Sequence, residues 1–128
     1  MSFSKRLIIC ASLAAAFALP TPLLAGEAPA KKAKSGLVNP AGMTLYTYDK
    51  DKGSAGKSVC NDKCAVNWPP FTAPADAKAS GDYTVVTRDD GSKQWAYKGM
   101  PLYLWIKDKA PGDMTGDKVG SVWHVVKD

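Results

Sequence analysis

Polar and apolar residues alternate over 43–48, placing Met43, Leu45 and Thr47 on one face and Thr44, Tyr46 and Tyr48 on the other, as a strand requires. Residues 82–88 and 92–97 alternate in the same way around Asp89-Asp90-Gly91, a strong hairpin turn. Lys98-Gly99 then turns the chain into 100–106, which predicts a three-stranded meander. A last strand is expected over 121–126, with Val122, His124 and Val126 opposite Trp123 and Val125. The intervening segments are short and rich in turns. Asn39-Pro40-Ala41-Gly42 is a turn cluster, 51–58 a polar loop, and 109–120 a longer loop. One or two helical turns are expected over 59–67. Trp68-Pro69-Pro70-Phe71 must be extended, because each proline biases its predecessor away from the helix. The predicted class is mainly β.

The pattern is also written twice. Gly42-Met43-Thr44-Leu45-Tyr46-Thr47-Tyr48-Asp49-Lys50-Asp51-Lys52 returns as Gly99-Met100-Pro101-Leu102-Tyr103-Leu104-Trp105-Ile106-Lys107-Asp108-Lys109, identical at seven of eleven positions. A tryptophan follows each copy at a similar distance, Trp68 in the first half and Trp123 in the second. The chain therefore reads as a small single domain of two duplicated hairpin or meander units, with a short helical turn near its paired cysteines.

Composition changes this picture mainly through the N-terminus. Lys5 and Arg6 precede an apolar run over 7–19, Pro20 and Pro22 end it, and small residues follow, so residues 1–25 read as a signal peptide cleaved after Ala25 or Ala28. The run falls short of the roughly 20 apolar residues of a membrane span. Residues 26–35 lack hydrophobic periodicity and read as a flexible tether, leaving 36–128 as the domain. The whole chain carries +5, but 36–128 has 12 basic and 11 acidic residues, so no nucleic-acid partner is expected of the domain. Cys10 leaves with the signal. Cys60 and Cys64 remain, and in an oxidising compartment an i, i+4 pair reads first as a structural disulfide. A haem attachment site or a dinuclear copper site would need a histidine nearby, and Ala65, Trp68 and Phe71 stand there instead. A thiol redox role stays open.

Two readings compete for the duplicated motif. In the architectural one, the aromatics Tyr46, Tyr48, Tyr103 and Trp105 pack the core, while Asp51 and Asp108 accept backbone N–H bonds and cap loops. In the functional one, the two aromatic faces form a shared groove for a small molecule, glycan or envelope protein. Met43, Met100 and His124 are the candidates for a soft metal site such as copper. Gly112-Asp113-Met114-Thr115-Gly116-Asp117 faintly suggests a calcium loop without its dense carboxylates. No nucleophile elbow, phosphate loop or triad spacing occurs, so neither an enzyme nor a cofactor is expected. A periplasmic metal- or redox-associated protein is the alternative.

Tyr46-Thr47-Tyr48-Asp49-Lys50-Asp51 and Tyr103-Leu104-Trp105-Ile106-Lys107-Asp108 both fit Tyr-x-(Phe/Trp/Tyr)-x-x-Asp. The chain thereby resembles a bacterial secreted-repeat family of predicted lipoproteins defined by that motif. The resemblance spans nearly the whole domain, including Cys60 to Cys64, Trp68-Pro69 and the closing Ser121-Val122-Trp123-His124-Val125-Val126. It implies export and a repeat architecture, but no reaction. Bulky Ile9 precedes Cys10 early in the apolar run, so the lipobox of a lipoprotein is missing and a soluble periplasmic or secreted protein is expected.

Overall fold

Eight short strands carry the chain, in a computed structural model that describes residues 28–54 and 56–127. The expected signal peptide and Cys10 lie outside these residues. Strands β1 (Lys31–Ala33) and β2 (Gly36–Val38) form an antiparallel hairpin. The motif strand β3 (Tyr46–Tyr48) follows, then a 3-10 turn over Asp49–Ser54, the helix α1 (Lys63–Asn67) and β4 (Thr72–Ala73). The second half contributes β5 (Tyr83–Thr87), β6 (Lys93–Tyr97), β7 (Met100–Pro101) and β8 (Trp123–Val125). The predicted meander is present as β5, β6 and β7, but the chain leaves that sheet after Pro101.

The expected tether needs correction. Lys31–Ala33 pair with Gly36–Val38, Ala30 joins the core, and Ser35 is buried. The segment carries no hydrophobic period because its strand is two-stranded and exposed outward. What holds it is the backbone ladder, which composition does not reveal.

The two halves are related by a pseudo-twofold. Tyr46 and Tyr103 face each other at its centre, each donating its N–H to the other's carbonyl at 2.8 and 2.9 Å. Beside this pair stands a closed triangle of backbone bonds: Leu37 donates to Val126, Val126 to Leu45, and Leu45 to Leu37. The other half repeats it, with Trp95 donating to Phe71, Phe71 to Leu102, and Leu102 to Trp95.

Each motif segment pairs with the tryptophan segment of the other unit. Tyr48 lies opposite Trp123 and Tyr46 opposite Val125 in the β3–β8 ladder. Leu104 and Ile106 correspondingly donate to Pro69 and Asn67. The halves are thus interlocked.

Alternation along the motif strands holds, yet both faces are covered. Leu45 and Leu102 belong to one core with Leu37, Tyr83 and Tyr97, whereas Tyr46 and Tyr103 belong to a second core with Trp68, Trp123 and Cys60. The disulfide Cys60–Cys64 spans 5.2 Å between Cα atoms and anchors α1 against this second core. Among the described residues no helix is long and apolar enough to cross a membrane.

Candidate functional site

The duplicated motif converges on the pseudo-twofold, and its side chains complete one another across it. Tyr46 donates its phenol O–H to Asp108 Oδ2 at 2.6 Å, and Tyr103 donates to Asp51 Oδ2 at 2.6 Å. Each tyrosine therefore serves the aspartate of the other repeat. Both phenols are completely buried. The second oxygen of each carboxylate caps a loop, as in the architectural reading. Asp51 Oδ1 accepts the Val59 N–H, and Asp108 Oδ1 accepts both the N–H and the hydroxyl of Thr115. Gly116 donates its N–H to the Tyr46 oxygen, while Ser58 Oγ lies 2.5 Å from the Tyr103 oxygen.

Burial, reinforced by the adjacent carboxylates, raises both phenol pKa values well above the ordinary tyrosine range. Burial likewise pushes the Asp51 carboxyl up, against the opposing pull of the Tyr103 hydroxyl, the Val59 amide and the Arg88 charge. Arg88 is itself buried. It donates to Ser58 Oγ, Gln94 Oε1 and the Cys60 carbonyl, and Gln94 donates onward to the Leu102 carbonyl. In the first unit Gly36 stands at the place of Gln94, and the tighter β1–β2 turn offers no counterpart of Arg88, so this network breaks the symmetry.

Between the phenols stands a column of four rings in the order Trp105, Trp68, Trp123, Tyr48. Successive centroids are 4.0, 3.7 and 4.3 Å apart, with interplanar angles of 26°, 4° and 13°. Tyr46 meets Trp68 edge-on at 5.4 Å, and Tyr103 meets Trp123 edge-on at 5.1 Å. The space between the two aromatic faces is filled by Trp68 and Trp123. Only Tyr48 and Trp105, partly exposed at the ends, bring motif rings to the surface. Lys107 Nζ sits 5.6 Å from the Trp105 ring centroid, and Trp105 Nε1 is buried without a hydrogen-bond partner.

The other candidates lie apart from this centre. Met43 is held in the Asn39 turn, where Asn39 Oδ1 accepts its N–H, and Met100 opens β7 opposite Tyr97. His124 is half-exposed and bonds Asp49 through Nε2 at 2.8 Å. Asp113 accepts the N–H groups of Lys109 and Ala110 and braces its own loop, while Asp117 accepts that of Val125 and ties the loop to β8. Among the described residues no group of three or more His, Cys, Asp or Glu is arranged to hold a metal ion.

Sequence reasoning passed over the flank around β1. Three clefts adjoin there, of about 350, 450 and 520 Å³, and Lys31, Lys32, Ala33, Lys34 and Tyr97 each line two of them. Lys127 joins the first cleft and Pro111 and Met114 the second. With residues 31–34 counted in the fold, three lysines move from the expected tether to the domain and its charge rises from +1 to +4. The signal available beforehand was the lysine run itself.

The chain belongs to a family described as a secreted repeat of unknown function, which matches residues 30–72 and 84–127, one stretch for each structural unit. No curated protein and no solved structure matches it.

Proposed function

We propose that this secreted repeat is a non-catalytic binding module of the bacterial periplasm or exterior, carrying no lipid anchor, whose binding face is the flank around β1. The supporting observation is the contrast between that flank and the motif centre. The motif phenols and carboxylates engage one another in the core, whereas the β1 flank opens into clefts with lysine rims and a tyrosine wall. A concave surface with an aromatic wall and converging cations suits an anionic ligand: an acidic small molecule, a charged glycan, or an acidic patch of an envelope protein. Lysines on an edge strand also deter edge-to-edge pairing, and that protective role accounts for Lys31 and Lys32 without a ligand. It does not account for the clefts, nor for Lys127 at the far end of the chain.

Titration of an acidic oligosaccharide, followed by NMR, tests the reading. Amide shifts should gather on 31–36, Tyr97 and 126–127 and shrink with added salt, because exposed charge pairs are screened beyond about 8 Å at physiological ionic strength. Replacing Lys31, Lys34 and Lys127 together with glutamate should abolish them without lowering the melting temperature. Shifts centred on Tyr48 and Trp105 would move the site to the column ends, and the β1 face would be discarded.

A further inference from the structure

The aromatic column has a property that packing does not require. Its flanking phenols end on buried carboxylates, Tyr103 on Asp51 and Tyr46 on Asp108. A buried carboxylate is a costly way to satisfy a hydroxyl, since desolvation disfavours its charge. It is, however, the group that accepts the proton a tyrosine must shed when it loses an electron. We propose that the column and its two phenol–carboxylate pairs form a path for one-electron oxidation, entered at Trp105 or Tyr48 and ending on Tyr103 and Tyr46.

The geometry supplies each step. A one-electron oxidant at the surface, such as an oxygen-centred radical, takes an electron from the partly exposed Trp105 and is itself reduced by one electron. Trp105 Nε1 has no acceptor, so the oxidised indole keeps its proton and remains a strongly oxidising radical cation. The Lys107 ammonium beside the ring disfavours positive charge there. Both effects drive the vacancy inward. Trp68 and then Trp123 refill it across ring contacts of 4.0 and 3.7 Å. Tyr103, edge-on to Trp123, finally yields one electron to the indole and its O–H proton to Asp51 Oδ2, leaving a neutral phenoxyl and a carboxylic acid. Tyr46 and Asp108 offer the same exit directly from Trp68. A one-electron reductant reverses the sequence, and the proton returns from the carboxyl to the phenol. The chain thus acts as a rechargeable sink for single oxidising equivalents. This role stands independently of the β1 face.

Flash photolysis of the mature chain with a soluble ruthenium polypyridyl photo-oxidant tests it by transient absorption. An indole radical should appear first and convert to a phenoxyl. In the Tyr46→Phe/Tyr103→Phe double variant, whose rings still pack, the conversion should be lost and the indole radical should persist. Equal phenoxyl formation in that variant would assign it to Tyr48, Tyr83 or Tyr97 and overturn the proposal. An unchanged indole signal in the wild type would overturn it too. Should the variant fail to fold, high-field EPR of the wild-type phenoxyl decides. A hydrogen bond from an exchangeable carboxylic proton supports the path, and a water-solvated phenoxyl refutes it.

Discussion

Tyr46 and Tyr103 lose the same interaction if their hydroxyls are removed, but from unequal surroundings. In Tyr46→Phe, Asp108 keeps the amide and hydroxyl of Thr115, but the buried Gly116 amide loses its acceptor. In Tyr103→Phe, the fully buried Asp51 keeps only the Val59 amide, and Ser58 loses a neighbour as well. Leaving a buried donor or acceptor without its partner costs about 1–3 kcal/mol, so urea denaturation should show both variants destabilised by that order. Ionisation gives a second handle on the same groups. Both phenols are held above the ordinary value by burial, so the stability they contribute is fully present below the unfolded tyrosine pKa of about 10. It is lost as pH rises beyond that point, because the unfolded chain releases protons that the native one retains. An ultraviolet titration should therefore find these two phenols un-ionised while the protein stays folded, then ionising together as it unfolds in alkali. The motif spacing singled out these residues, and loop capping by Asp51 and Asp108 was one of the two readings it allowed. It could not announce the exchange of partners, since the tyrosine and aspartate of one copy look equally able to serve each other.

Among the elements, β1 shows where sequence pattern loses its grip. A three-residue strand with all side chains exposed has no apolar face to detect, and its lysines look like solvent. What fixes it is backbone pairing and the close approach of Gly36 to the end of β8. Gly36 has φ near +123°, and a Cβ there would lie 2.5 Å from the Val126 carbonyl oxygen and 2.7 Å from Val125 Cγ1. Gly36→Ala therefore combines backbone strain with a clash and should cost about 3 kcal/mol or more. Gly91→Ala provides the contrast. Its φ is +87° but nothing lies within 4 Å of the added carbon, so strain alone remains, about 1–2 kcal/mol. Chemical denaturation of the two variants separates these contributions. The disulfide element was legible from cysteine spacing and compartment alone. Replacing both Cys60 and Cys64 with alanine should remove about 2 kcal/mol, with α1 the first segment to exchange its amides.

At the scale of the whole molecule, duplication and interlocking have opposite consequences for autonomy. A repeat visible in sequence suggests units that fold alone, as beads on a string would. Here the motif strand of the first unit finds its ladder partner in β8, and that of the second finds its partner at Asn67 and Pro69. Each backbone triangle likewise draws one of its three corners from the other unit. Severed at the connector between β4 and β5, residues 30–78 would keep the β1–β2 hairpin and the disulfide. They would also expose Leu45, Tyr46 and Trp68, which the intact chain buries. Neither piece retains a closed core, and domains this small have little stability to lose. Each fragment alone should therefore give a poorly dispersed NMR spectrum, or self-associate by substituting a second copy of itself for the missing half. Mixing the two should restore the dispersed spectrum of the intact chain, because the contacts they need are with each other. The Trp68–Trp123 stack supplies the readout. Its near-ultraviolet circular dichroism should be absent from either fragment and return on mixing, in proportion to complex formed. A first fragment that folded as a monomer, with Trp68 shielded from a soluble quencher, would show that the repeats merely touch.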